Sequence, residues 1–253
     1  PLLQQRAWPE GVDKLVPLGF RLASDRRHLA PIYPPGYPLL MAPAFLIDER
    51  AAYLVVPFCG ALVVWLTFAM GEKLRQPAAG AAAAWLVSVS PTFLYQLVQP
   101  MSDVPVTAGW LAALFLGRAG PTASAACAGL VGGIAILIRP NLIPLAGLVW
   151  CTTLLGGEGG TRWRRAALSI AATIPGAVAL GLIQSARYGS PFASGYGSVH
   201  DLFGLANVWP NLARYPRWMI ETHTPLIALF LAAPLWLVRR RQQTRGFLLV
   251  LWV

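Results

Sequence analysis

Charge is what this sequence has least of. Only 12% of its 253 residues are Asp, Glu, Lys or Arg, while 56% are hydrophobic and the mean hydropathy is +0.56. A soluble domain carries roughly 25% charged residues, so an ordinary soluble enzyme, a disordered chain and a disulfide-stapled secreted module are excluded. Cysteine is scarce as well. Cys59, Cys127 and Cys151 each sit inside an apolar run and no CxxC pair occurs, so neither a disulfide framework nor a zinc site is indicated. Acids are outnumbered, 10 Asp and Glu against 20 Lys and Arg, for a net charge of +10. In a soluble chain that excess would point to nucleic acid. Here the basic residues lie between apolar stretches, where they set membrane orientation, and no nucleic-acid partner is expected. The chain opens at Pro1 with no initiator Met or signal peptide, and its last apolar run, from Phe247, falls short of the roughly 20 residues a crossing helix needs. It reads as an internal fragment of a larger protein.

What is present is a series of apolar runs. Residues 1–50 are a mixed segment with scattered charge, prolines at 31, 34, 35, 38 and 43, and no long apolar run; they read as a partial first extracytoplasmic loop. Apolar stretches follow at about 51–71, 78–98, 104–117, 123–138, 140–155, 166–186 and 225–238, with a truncated one from 246. None alternates with period two, which excludes a β-barrel. The expectation is an all-α, polytopic transmembrane helical bundle over 51–253, with about seven spans plus a truncated eighth and an extracytoplasmic loop at 187–224. Several runs are short for a straight span, as is tolerated when helices pack on protein or line a cavity.

Orientation follows from Lys and Arg in alternate loops. Lys73, Arg75, Arg118, Arg162, Arg164, Arg165 and the cluster Arg239, Arg240, Arg241 and Arg245 fall on one side; Arg139, Arg187, Arg214 and Arg217 fall on the other. The richer side is assigned to the cytoplasm. Residues 123–155 have one polar interruption, Arg139-Pro140-Asn141, and as a single helix would be about 50 Å long. Two crossings fit better. Residues 1–50, Asp103, Arg139 and 187–224 then share the extracytoplasmic side.

Chemistry-bearing residues are few. Asp103, in Gln99-Pro100-Met101-Ser102-Asp103-Val104-Pro105, is the sole acid between Glu72 and Glu158. It reads equally as a helix N-cap and as a carboxylate at a membrane-edge cavity, acting as base or metal ligand. Arg139 reads as an interfacial arginine snorkelling to headgroups or as a fork for a phosphate oxygen. Tyr33-Pro34-Pro35-Gly36-Tyr37-Pro38 enforces an extended stretch and then a tight turn. Its tyrosines are aromatic-belt anchors, or rigid faces for a sugar ring or isoprenoid chain. The loop 187–224 holds Tyr188-Gly189-Ser190-Pro191, Tyr196, His200, Asp201, Trp209, Tyr215, Trp218, Glu221 and His223. Glu221 and His223, two apart, do not share a helix face and read as exposed polar side chains ahead of metal ligands, the loop as a whole as surface or lid. Trp236 beside Arg239 reads as an interface anchor, and Gly156-Gly157-Glu158-Gly159-Gly160 as a flexible turn.

In order along the chain, Tyr33-Pro34-Pro35-Gly36-Tyr37-Pro38, Ser102-Asp103-Val104-Pro105, Arg139-Pro140-Asn141 after a Gly-rich span, and Tyr188-Gly189-Ser190-Pro191 resemble the GT-C superfamily of polytopic glycosyltransferases. The resemblance is to the branch of protein O-mannosyltransferases and aminoarabinose transferases, and it covers essentially the whole chain. It implies transfer of a sugar from a polyprenyl-phosphate donor to a lipid, glycan or protein acceptor on the outer face of a bacterial inner membrane. By the same resemblance Asp103 is the catalytic candidate, matching the second acid of such enzymes, while the first would lie upstream of Pro1; Glu10, Asp13 and Asp25 are poor substitutes by placement. Arg139, Tyr33, Tyr37, Ser102, Asn141, Tyr188 and Tyr196 are the substrate-binding candidates. Ile32 and Tyr33 stand where aminoarabinose transferases carry an acid and a lysine, so a divalent metal stays open and no other cofactor is named. The competing classes are a transporter or permease, for which repeat symmetry and charges within spans are missing, and a silent member of the fold that only binds lipid-linked sugar.

Overall fold

The computed structural model describes residues 16–118, 120–157, 159–198 and 204–223. The expected apolar stretches at 225–238 and from 246, the Arg239–Arg245 cluster, Trp236, Glu10, Asp13, Glu158, His200, Asp201 and the side chain of His223 lie outside them. The described chain is mostly helical. Its helices are α1 (Gly36–Ile47), α2 (Val55–Lys73), α3 (Pro77–Ser88), α4 (Pro91–Leu97), α5 (Asp103–Gly117), α6 (Thr122–Ile138), α7 (Leu145–Leu155), α8 (Thr161–Tyr188) and α9 (Val208–His223). Two short antiparallel hairpins accompany them: β1 (Phe20–Leu22) with β2 (Leu29–Pro31), and β3 (Ala193–Ser194) with β4 (Gly197–Ser198).

The helices from α2 to α8 run alternately up and down, and the contacts at their ends give the directions. Val56, Cys59 and Val63 of α2 cluster with Val104 and Ala108 of α5, while Lys73 donates to the Phe115 carbonyl at 3.1 Å, so α2 and α5 run parallel. Between them α3 and α4 return, for Gly80 abuts Gly71 and Leu97 abuts Gly60. Pro91 starts α4 after a 63° bend, which is why the apolar run 78–98 becomes two helices. Gly109 of α5 meets Ala135 of α6, and α6 is followed by a reversal at Arg139, a 3-10 turn over Pro140–Leu142, and α7. The chain therefore turns back at Arg139-Pro140-Asn141 instead of running on as one helix.

The tightest seam joins α6 to α8. A Cβ on Gly129 would sit 2.0 Å from the Ser169 carbonyl oxygen, and one on Gly176 would sit 2.3 Å from the Gly133 oxygen. Thr173 fills the remaining polar gap, its hydroxyl lying 2.8 Å from the Ser169 oxygen and 3.2 Å from the Gly129 oxygen. Small residues at such spacing let two backbones approach where no hydrophobic force between helices is needed. At the opposite end from Arg139, Arg165 is 1% exposed and donates to the carbonyls of Thr153, Gly117, Gly120 and Pro121. One guanidinium thus satisfies carbonyls that α5 and α7 leave unpaired at their ends and ties them to the turn before α6.

Two described helical segments, Ala51–Lys73 and Thr161–Tyr188, are long and apolar enough to cross a membrane, or three if the bent pair α3–α4 is one span. Their outer faces expose Phe58, Trp65, Ile174, Val178 and Leu182, apolar area of a kind that water-soluble monomers rarely show. The segment 1–50 differs from the expectation of a loop without an apolar run, because Gly36–Ile47 is a helix. Pro38 falls in its first turn, where amide protons have no helical partner anyway, and Pro43 costs it a single interior hydrogen bond. Likewise 187–224 contains the hairpin β3–β4 and the helix α9.

Gly129→Ala should destabilise the bundle by about 1–3 kcal/mol or more, since its Cβ would collide with backbone. Gly147→Ala, in α7 with nothing within 4 Å of its Cβ, should be neutral or stabilising by up to ~1 kcal/mol. Unfolding of the two variants in detergent checks the contrast.

Candidate functional site

Arg139 and Asp103 come from neighbouring antiparallel helices. Asp103 is the first residue of α5 and Arg139 caps the C-terminus of α6, so each charge complements the dipole of its own helix. Arg139 Nη1 donates to Asp103 Oδ1, forming an ion pair whose side chains are 37% and 32% exposed. Asp103 is thus the opening residue of α5 and not its cap: Ser102 holds the cap position and makes no side-chain cap bond. Among the described residues no partner reaches Nε or Nη2 of Arg139. One arm of the fork is held and the other is open, with a third of the side chain in contact with solvent.

The motif around Pro34 and Pro35 is brought to this pair by glycine. A Cβ on Gly36 would lie 2.3 Å from the Leu137 carbonyl carbon and 2.4 Å from the Ile138 nitrogen. Only glycine lets the start of α1 rest on the backbone just before Arg139. Tyr33 and Tyr37, four apart, then separate. Tyr33 is exposed and meets Tyr196 edge to face, with ring centroids 6.2 Å apart. Tyr37 packs inward between the two apolar clusters of the bundle, its hydroxyl buried without a partner. The two tyrosines expected to present faces together thus part: Tyr33 meets Tyr196, and Tyr37 packs against the bundle.

The chain after α8 closes over the same end. Gly189, at φ +78°, ends α8 in a left-handed conformation that glycine adopts without strain. The β1–β2 hairpin docks there: the Tyr188 hydroxyl donates to the Pro31 carbonyl, Ser24 N donates to Arg187 O, and Arg21 reaches the Ser194 and Gly195 carbonyls at 3.1 and 3.2 Å. Arg21 also lies over the Tyr188 ring. A Cβ on Gly195 would stand 2.1 Å from the Ile32 oxygen. These contacts carry Tyr196 to Tyr33. Burial raises the Tyr196 phenol above its ordinary pKa, Tyr33 adds to the rise, and Arg139 opposes it while Asp103 reinforces it. Tyr196 therefore stays a neutral donor at physiological pH, within the electrostatic reach of the ion pair.

The structure thus gathers Asp103, Arg139, Tyr33 and Tyr196, with Tyr188 as the fastener of the hairpin. Asn141 is exposed in the 3-10 turn after Arg139 and makes no described hydrogen bond. Glu221 pairs with Arg217 on α9 at 2.7 Å, apart from this group. Arg21 and Gly195 carry no local signal in the sequence, whereas Gly36, following two prolines, marks its turn. A divalent metal does not fit these residues. Hard cations need several oxygen ligands, whereas the described site offers one carboxylate already held by arginine, and no group of three His, Cys, Asp or Glu occurs among the described residues.

The residues define a mostly helical chain with helices able to cross a membrane and a charged, aromatic-flanked site where helix ends meet. Comparison with family models, with curated proteins and with solved structures finds no match to this chain.

Tyr188→Phe should weaken hairpin docking by about 0.5–1.5 kcal/mol, seen as faster amide exchange at Ser24 and Ile32. Tyr33→Phe, whose hydroxyl has no bond to lose among the described residues, should leave that exchange unchanged.

Proposed function

We propose that the protein is a multi-pass membrane glycosyltransferase of the GT-C kind, taking a sugar from a polyprenyl-phosphate donor on the extracytoplasmic face. The observation that carries this reading is the Arg139 guanidinium, one arm on Asp103 and the other open, within electrostatic reach of Tyr196, whose ring meets Tyr33. A planar fork suits a phosphate oxygen, and aromatic faces suit a sugar or an isoprenoid. In the proposed reaction an acceptor hydroxyl attacks the anomeric carbon, the bond from that carbon to the phosphate oxygen breaks, and the hydroxyl proton passes to a base. Lipid phosphate departs as an anion, and Arg139 offsets the charge that develops on it. Such preorganised stabilisation contributes about 3–4 kcal/mol where one donor has been removed. Asp103 aims the guanidinium and orients the acceptor. The acceptor is a lipid, glycan or protein.

One observation favours a second reading. Asp103 is engaged by Arg139, and among the described residues no second carboxylate forms an ion pair with that arginine. A protein that holds lipid-linked sugar without transferring it would need no base.

Transfer by the full-length protein in vesicles, from a panel of labelled polyprenyl-phosphate sugars, separates the two. The proposal expects transfer by wild type, a loss of about 10²–10³-fold in Arg139→Ala at matched protein level, and a marked loss in Asp103→Asn. Labelled donor bound but transferred by none would establish the binding reading. Equal transfer per molecule by wild type and Arg139→Ala would remove Arg139 from the site.

A further inference from the structure

We infer that α9 is an interfacial helix that rests its apolar face on an anionic phospholipid surface at the Arg139 end of the bundle. The helix spans Val208–His223, 16 residues, or about 24 Å at ~1.5 Å per residue. At 100° per residue, Val208, Trp209, Leu212, Tyr215, Met219 and Ile220 fall on one side. Arg214, Arg217 and Glu221 fall on the opposite side, with Trp218 and Asn211 beside Arg214 and Thr222 at the margin. All six apolar residues are exposed, from 41% at Met219 to 78% at Trp209. Among the described elements the one extensive contact of α9 is with the 3-10 turn, Leu205–Asn207, that leads into it.

Three observations select a lipid surface as the occupant. First, the tether is short. The α8 helix can cross a membrane and ends at Tyr188, β3–β4 is pinned beside that end through Arg21 and Gly195, and Val208 follows Ser198 within about 35 Å of chain at ~3.5 Å per residue. The helix therefore lies within reach of the bilayer surface that α8 leaves. Second, the apolar side includes Trp209 and Tyr215, with Trp218 packed on Tyr215 at 5.7 Å. Such rings concentrate at the level of headgroups. Third, the polar side is basic. Glu221 is taken up by Arg217 at 2.7 Å, and Arg214 adds a further positive charge that complements lipid phosphate. A strongly two-sided helix with low net hydrophobicity lies in the interface and does not span. This inference rests on the membrane reading and not on any transfer reaction.

The test is site-directed spin labelling of the full chain in phosphatidylglycerol–phosphatidylcholine vesicles, with exposed Cys127 and Cys151 replaced by alanine and buried Cys59 retained. Single labels are placed through Asn211→Cys, Leu212→Cys, Arg214→Cys, Tyr215→Cys and Met219→Cys, all at surface positions that the fold does not depend on. Labels at 212, 215 and 219 are expected to collide with oxygen, to be shielded from a water-soluble nickel chelate, and to sit about 5–10 Å below the headgroups. Labels at 211 and 214 should show the reverse. Equal access of the chelate to all five would place α9 in water and overturn the inference. Shielding of 212, 215 and 219 from both reagents would also overturn it, because protein, from this chain or another copy, would then cover the face. Depths unchanged in vesicles without phosphatidylglycerol would remove the anionic headgroup from the account.

Discussion

The pairing of Asp103 with Arg139 is the contact on which the arrangement of the site depends. It joins the N-terminus of α5 to the C-terminus of α6, and each residue sits where its helix dipole favours its charge. A pair on two flexible surface chains contributes little. Here both residues are at helix ends, and the helices beneath them are already held at glycine distance, with Gly109 against Ala135 and Gly36 against Leu137 and Ile138. The guanidinium is consequently held in one direction by the fold itself. Around it the chain adds α1, the β1–β2 hairpin and the segment after α8, each through a backbone approach that a larger residue would block.

The opposite end of the bundle uses cations differently. Lys73 bonds the Phe115 carbonyl and lies over the Phe115 ring, and Arg165 binds four carbonyls. Phe115, Gly117 and Thr153 among these acceptors lie in the last turns of α5 and α7, where helix carbonyls lack partners. A count of basic residues treats them as orientation signals, and they serve as helix caps at the same time. Removing Arg165 would take from the Gly117 and Thr153 carbonyls the buried bonds they now accept, each at a desolvation cost.

How much of this could be read from the sequence varies with the kind of force involved. The apolar runs 51–71, 104–117, 123–138 and 166–186 match α2, α5, α6 and α8 to within a few residues, because burial in apolar surroundings leaves a continuous mark on composition. The break at Arg139-Pro140-Asn141 was visible for the same reason. The helix α1 was hidden by Pro38 and Pro43, which signal loops in general and are tolerated here by their positions. The amphipathic pattern of α9 was present in 208–223 but lay within a segment rich in Gly, Pro and aromatics that reads as a loop. At the site, residue types pointed to Asp103 and Arg139. The separation of Tyr33 from Tyr37, and the reach of Tyr196 back to Tyr33, depend on Gly36 and Gly195 meeting distant backbone. Contacts of that range leave no trace in one sequence.

Whether Arg139 is an anion seat aimed by Asp103 is tested most directly by binding of polyprenyl phosphate without sugar to the full-length protein, comparing wild type, Arg139→Ala and Asp103→Asn. Opposite signs are expected. Arg139→Ala should lose at least about tenfold in affinity, the loss of one charge-assisted bond, while Asp103→Asn should bind as tightly as wild type or more so, because the guanidinium no longer shares its charge. Equal affinity in wild type and Arg139→Ala, or equal losses in both variants, would contradict it and leave the pair a structural clasp between α5 and α6.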